Sequence, residues 1–202
     1  MLSAETLRGV YSAIVTSFQG DETLDEGALR KQTEYVIENG VHAIMSTGGT
    51  GEFPHMTREE RKAANAVITD QAAGRIPIIA GTAGCSTREA VFLSRDAQDA
   101  GAAAVILTPT YYFKIPEEGL KRHFFDVAEA LDIPVVIYNN PLYTGNPMSP
   151  SLMAEIMEHR NIIGGKLSQD DMGQLVETLR ITRGRVSVST GIDSQFYPAL
   201  CV

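Results

Sequence analysis

Seven short apolar runs recur along this 202-residue chain at nearly constant intervals, and that rhythm limits the folds open to it. The runs are Val10–Phe18, His42–Gly48, Ile76–Thr82, Ala104–Pro109, Pro134–Asn140, Ile162–Ser168 and Arg185–Gly191. From the second run onward their starts lie 34, 28, 30, 28 and 23 residues apart. A strand, its helix and the two connections occupy about 30 residues, so each interval holds one βα unit. Most runs lack strict apolar–polar alternation, which predicts parallel strands buried on both faces. Helix punctuation fills the gaps. Thr57-Arg58-Glu59-Glu60 and Ser86-Thr87-Arg88-Glu89 read as capping boxes, and Ser149-Pro150 as a cap followed by proline at the first helical position. Gly40 and Gly101 stand where left-handed caps are expected, and Leu24–Asn39 puts Ala28, Leu29, Val36 and Ile37 on one face.

Alternation alone fits a closed barrel or an open doubly wound sheet. The first strand–helix turn, Thr16-Ser17-Phe18-Gln19-Gly20-Asp21, carries no GxGxxG, and Gly48-Gly49-Thr50-Gly51-Glu52 is not closed by GK[ST]. The barrel is therefore the expected fold. A complete (β/α)8 TIM barrel takes about 250 residues. Here the seventh run is followed by Ser194–Leu200, the start of a helix that contains Pro198. The expectation is one α/β domain over residues 1–202, a TIM barrel cut short after strand 7 with two unpaired edges.

Composition excludes several classes. A net charge of −8 argues against nucleic acid and anionic membrane as partners. No apolar run reaches the roughly 18 residues of a membrane span, and Met1–Glu5 lacks the basic and apolar regions of a secretory signal. The two cysteines, Cys85 and Cys201, form no disulfide framework, and the four scattered histidines form no metal-ligand pair, so no metal site is expected. A reducing, cytoplasmic setting is the expectation.

Unusual residues gather where the strands end, which is where barrels of this kind place their active sites. Lys166 lies inside the apolar run Asn161–Ser168. Lysine is rarely buried without a partner or a function, and desolvation favours the neutral amine, a nucleophile for carbonyls. Tyr138 ends the preceding run, 28 residues earlier, so the two belong to adjacent strands. That pair suggests Schiff-base chemistry with a phenol as proton carrier. The Gly48–Gly51 turn can present consecutive N–H groups to an anion, and Thr50 can add a hydroxyl. Thr190-Gly191 ends strand 7, where Gly191 is a candidate substrate-binding residue, and Tyr111-Tyr112 follows strand 4. Cys85 is expected to be a small buried residue. Glu52 is expected to organise its loop, and His55, without a partner, is not placed in the site.

Together these residues resemble the family of dihydrodipicolinate synthase and N-acetylneuraminate lyase, the pyruvate-type class I aldolases. The markers are Gly48-Gly49-Thr50-Gly51-Glu52 followed by Met56-Thr57-Arg58-Glu59-Glu60-Arg61, then Ala80-Gly81-Thr82, Pro109–Tyr112, Tyr138-Asn139-Asn140-Pro141 with Thr144-Gly145, and Gly165-Lys166. The resemblance runs from about Gly9 to Val202. It implies that Lys166 forms an imine with pyruvate or a related 2-oxo acid and that Tyr138 shuttles protons. It implies that Thr50 and the Gly49 backbone hold the carboxylate, and that Tyr112 enters a neighbouring subunit's site. It also implies a homo-oligomer, dimer or tetramer, and no cofactor, because the imine is itself the electron sink.

Three features depart from the synthase pattern. Gly49 stands where a threonine hydroxyl links two tyrosines, and Tyr143 stands where an arginine grips the aldehyde substrate. The third departure is the missing eighth unit with the family's C-terminal helices. Gly48–Phe53 is more similar to the family's sugar-acid dehydratases, whereas Asn140-Pro141 and Thr144-Gly145 are more similar to its synthases and lyases. The expected function is a Schiff-base-forming lyase, by aldol cleavage, condensation or dehydration. The alternative is an inactive barrel that acts only through self-association or partner binding.

Overall fold

The computed structural model of the protein describes residues 2–202. Met1, the first residue of the expected domain, lies outside the described residues. Each of the seven apolar runs contains a strand. These are β1 (Tyr11–Ala13), β2 (Ala43–Ser46), β3 (Ile78–Gly81), β4 (Ala104–Leu107), β5 (Val135–Asn139), β6 (Ile162–Leu167) and β7 (Ser187–Thr190). The strands are shorter than the runs because the last residues of most runs leave the ladder and turn onto the rim.

The helices are α1 (Glu26–Glu38), α2 (Arg58–Ala72), α3 (Thr87–Asp99), α4 (Glu117–Glu129), α5 (Pro141–Thr144), α6 (Pro150–Ile156), α7 (Met172–Thr182) and α8 (Phe196–Leu200). Short 3-10 turns cover Phe53–His55 and Asp193–Gln195. Thr57 makes a reciprocal capping box with Glu60. Ser86 caps α3, but the Glu89 carboxylate accepts from the Cys85 amide rather than from Ser86, so the second expected box is one-sided. Gly40 and Gly101 have positive φ, as expected of caps. Pro198 is tolerated because it lies in the first turn of α8, where no intrahelical N–H bond is required. The short helix α5 was not anticipated. It carries Tyr143 and Thr144 onto the rim.

All pairings are parallel and sequential, β1 through β7. These are seven consecutive strands of a TIM barrel, and among the described residues the sheet does not close on itself. Among the described residues no helix is long and apolar enough to cross a membrane.

Side chains alternate across the sheet. Ala43, Met45, Ile79, Ala104, Ile106 and Val136 point inward and form one core. Ile44, Ile78, Val105, Leu107, Val135 and Ile137 point outward and pack under the helices. Tyr138 follows this alternation and packs against the inner core. Strands β2, β3 and β4 are buried at every position, as parallel strands covered on both faces must be.

The pairing of β5 with β6 contains one irregularity that matters for the site. Val135 pairs with Ile162, yet Val136 pairs with Gly164, so Ile163 is an extra residue. A one-residue slip moves every later side chain to the other face. Without it Lys166 would stand opposite Asn139, which points outward. With it Lys166 pairs with Tyr138 and faces the barrel interior.

Candidate active site

A cavity of about 550 Å³ opens at the C-terminal ends of the strands. Lys166, Tyr138, Gly48, Gly49 and Thr50 line it together, with Tyr111, Thr108, Asn140 and Tyr143 among the other walls. Lys166 and Tyr138 are both half-buried. Lys166 Nζ lies 4.5 Å from the centroid of the Tyr138 ring, over its face. Among the described residues Lys166 makes no salt bridge.

The glycine turn starts from strained backbone. Thr47, buried and β-branched, has φ +44, and Glu52 has φ +58. A β-branched residue in the left-handed region costs of order 1–3 kcal/mol and persists only when its surroundings fix it. Here they do. Thr47 Oγ1 donates to Gly81 O at 3.0 Å, and Ser46 Oγ donates to Asn65 Oδ1 at 2.6 Å. Thr16 Oγ1 donates to Gly51 O at 2.7 Å, tying the turn to the loop after β1. A side chain at Gly81 would run into the Thr47 carbonyl and the Gly48 Cα, so β3 ends in glycine to let this turn pass. The amides of Gly49 and Thr50 donate to no backbone acceptor among the described residues, and Thr50 is exposed. Successive amides left free in such a turn are able to receive an anion.

Arg61 buttresses the same corner from α2. It is buried, donates to Gly81 O and Ala83 O, and stacks its guanidinium over Phe53 at 5.0 Å. Burial lowers its pKa to about 10. Tyr111 stands edge-on to Phe53, and burial, then its hydrogen bond to Cys85, pushes its phenol upward.

Not every expected residue joins the cavity. Gly191 does not line it and lies behind Lys166, where a Cβ would overlap Lys166 Cε and Ser168 Oγ. Tyr112 is 87% exposed, with φ +81, and points away from this cavity, whereas Tyr111 lines it. Cys85 is exposed rather than buried, because its amide is held at the start of α3 by Glu89. His55 does line the mouth, carried there by the 3-10 turn. Thr47 and Ser168 belong to apolar runs and Asn65 to α2, and small polar residues there give no periodic signal. Among the described residues no cluster of three His, Cys, Asp or Glu is placed to hold a metal ion.

The wall at Thr108 rests on a buried histidine. His123 Nε2 lies 3.3 Å from Thr108 O, and Nδ1 lies 3.0 Å from Thr87 Oγ1. A carbonyl only accepts, so Nε2 carries the hydrogen and Nδ1 accepts from Thr87. Burial lowers the imidazole pKa from 6.5 to about 4. The unfolded chain takes up its proton near 6.5, so between there and pH 4 it binds more protons than the folded chain. The contribution is complete above pH 6.5 and is lost as pH falls, by about 3 kcal/mol at pH 4. Urea titrations at pH 7 and pH 4.5 are expected to show this loss in the parent chain and a smaller one in His123→Gln.

Comparison with known proteins agrees with this fold. Residues 6–202 match the Dihydrodipicolinate synthetase family. The chain is 37% identical over 193 residues to the 4-hydroxy-tetrahydrodipicolinate synthase of Trichlorobacter lovleyi, covering 96% of this chain and 66% of the relative. It is 39% identical over 197 residues to the enzyme of that name from Methanoculleus marisnigri, covering 96% and 67%. Among solved structures, dihydrodipicolinate synthase from Aquifex aeolicus superposes with a TM-score of 0.92 at 35% identity, covering 96% of this chain and 66% of the other. YagE, an E. coli K12 prophage protein of the dihydrodipicolinic acid synthase family solved in complex with pyruvate, superposes with a TM-score of 0.93 at 32% identity, covering 96% and 67%. The chain thus spans about two thirds of the length of the relatives it matches. With seven sequential parallel strands, a lysine and a tyrosine paired on the inner face, and these likenesses along nearly its whole length, the chain belongs to the dihydrodipicolinate synthetase family.

Proposed function

We propose that the protein is a Schiff-base-forming lyase acting on pyruvate or a related 2-oxo acid. The observation that carries this reading is the placement of Lys166 Nζ over the Tyr138 ring inside a rim cavity, with no carboxylate partner. In this reading the amine adds to the ketone, and loss of water from the carbinolamine gives the imine. The Tyr138 hydroxyl supplies the proton with which that water leaves and later takes a proton from the substrate carbon. The free amides of Gly49 and Thr50, with the Thr50 hydroxyl, receive the carboxylate next to the ketone. The relative solved with pyruvate supports the same substrate class for this chain.

The third tyrosine fits an assembly. Tyr112 is exposed and held in a strained conformation beside Phe113. Its role in this reading is to reach the cavity of a second copy. Tyr143, 80% exposed on α5, stands at the mouth where the far end of a substrate lies.

The test is reductive trapping. The protein is incubated with pyruvate, reduced with borohydride, digested and mapped by mass spectrometry. The expected adduct is on Lys166. An adduct confined to another lysine contradicts the proposal. No adduct with any 2-oxo acid, together with self-association in solution, favours the inactive associating barrel.

A further inference from the structure

Tyr138 is held by two side chains, Asn140 in the cavity wall and Ser168 outside the lining. Asn140 Nδ2 donates to the Tyr138 hydroxyl at 3.1 Å, and that hydroxyl donates to Ser168 Oγ at 3.2 Å. A phenol has one hydrogen to give, so with Asn140 donating, Ser168 is where that hydrogen goes. Both partners are at least nine-tenths buried and fixed through their backbones. Ser168 N donates to Asn139 O, and Asn140 O accepts from Thr144 Oγ1. The Ser168 hydroxyl accepts from Tyr138 while its own hydrogen has no acceptor among the described residues. A hydroxyl in that state is a rotor. It can accept from the neutral phenol, then turn and donate to the phenolate.

We propose that Ser168 is the positioning residue of Tyr138, aiming the phenol at the reacting atoms and, with Asn140, holding its oxygen when the proton is elsewhere. The inference rests on the Schiff-base reading. In the protonated imine with pyruvate, a C3 hydrogen leaves as a proton to the phenolate oxygen. The C–H electron pair becomes the enamine double bond, and the imine nitrogen takes the displaced pair. In the reverse step the phenol returns a proton, which in deuterated water is a deuteron. During the interval in which Tyr138 is a phenolate, two donors converge on it, the Asn140 amide and the Ser168 hydroxyl. Gly191 preserves the arrangement, because any side chain there would occupy the space of Ser168 Oγ.

The experiment compares the parent chain with Ser168→Ala and Ser168→Thr. Three quantities are read: the extent of borohydride trapping at saturating pyruvate, the rate of C3 deuterium exchange by proton NMR, and the Tyr138 13Cζ resonance, assigned by its loss in Tyr138→Phe. Ser168→Ala is expected to leave the extent of trapping intact, slow exchange roughly tenfold and shift the resonance. Ser168→Thr, which keeps the hydroxyl, is expected to restore both. Exchange at the parent rate in Ser168→Ala, or an unmoved resonance, would overturn the proposal. Failure of the parent chain to trap pyruvate on Lys166 removes the Schiff-base reading and the role assigned here in catalysis. The resonance then still decides whether Ser168 holds Tyr138.

Discussion

Lys166→Ala is expected to lose all borohydride-trapped adduct with pyruvate while the chain remains folded. The reason is chemical before it is structural. Among the described residues Lys166 is the one lysine that lines the cavity, and its ε-amine lies over the Tyr138 ring and makes no salt bridge. The alanine has no nucleophile, and water in its place forms a hydrate rather than an imine. Lys166→Arg is expected to fail as well, since a guanidinium keeps its proton in proteins. Tyr138→Phe separates the two roles. It keeps the ring under Nζ but removes the hydroxyl, so some adduct is expected to accumulate while C3 exchange falls by roughly 10²–10⁴. Mapping the adduct by mass spectrometry in all three variants checks the set. An undiminished adduct in Lys166→Ala would assign the chemistry to a different amine. Equal exchange in Tyr138→Phe would assign the proton to another group.

The residues most visible in the sequence were those whose chemistry conflicts with their surroundings. A lysine in an apolar run and a tyrosine at the end of the preceding one are conspicuous against parallel-strand composition, and the spacing of the runs assigns them to neighbouring strands. The spacing also carried the fold, since seven runs at intervals of nearly one βα unit leave little besides consecutive barrel strands. What the sequence did not reveal was register. Counting alone places Lys166 beside Asn139 as readily as beside Tyr138, and the choice is made by the extra residue Ile163. Just beyond it Gly164 and Gly165 pass close to Ser187 and Met157, contacts that run spacing does not specify. The same holds for Thr47. Its left-handed backbone is fixed by hydrogen bonds that its hydroxyl donates to Asn65 on α2 and Gly81 on β3, and nothing in Ser46-Thr47-Gly48 announces it. Tyr111 and Tyr112 are chemically alike in the sequence. The backbone at Tyr112 alone turns one phenol outward and leaves the other in the cavity wall.

Gly191→Ala is expected to disable the site with a modest effect on the fold. The glycine does not occupy the left-handed region, so its backbone accepts an alanine. The added methyl, however, would overlap Lys166 Cε and Ser168 Oγ and sit 3.2 Å from Lys166 Nζ. None of these is a backbone atom, so relief comes from moving the lysine stem and the serine hydroxyl rather than from unfolding. Overpacking of this kind costs about 1–3 kcal/mol, a fraction of which flexible side chains recover. Displacement of the nucleophile by about 1 Å, by contrast, slows reaction roughly 100-fold. The expected result is a small fall in the urea midpoint together with a roughly 100-fold slower approach to the trapped adduct. Gly20→Ala is the control, because its Cβ meets nothing within 4 Å and it lies outside the site. Slow trapping with an unchanged far-ultraviolet spectrum would show that an absent side chain at the end of β7 keeps open the space in which Lys166 works. Trapping at the parent rate would mean that the lysine stem has another path to the same position, and that the contact behind it is not what aims it.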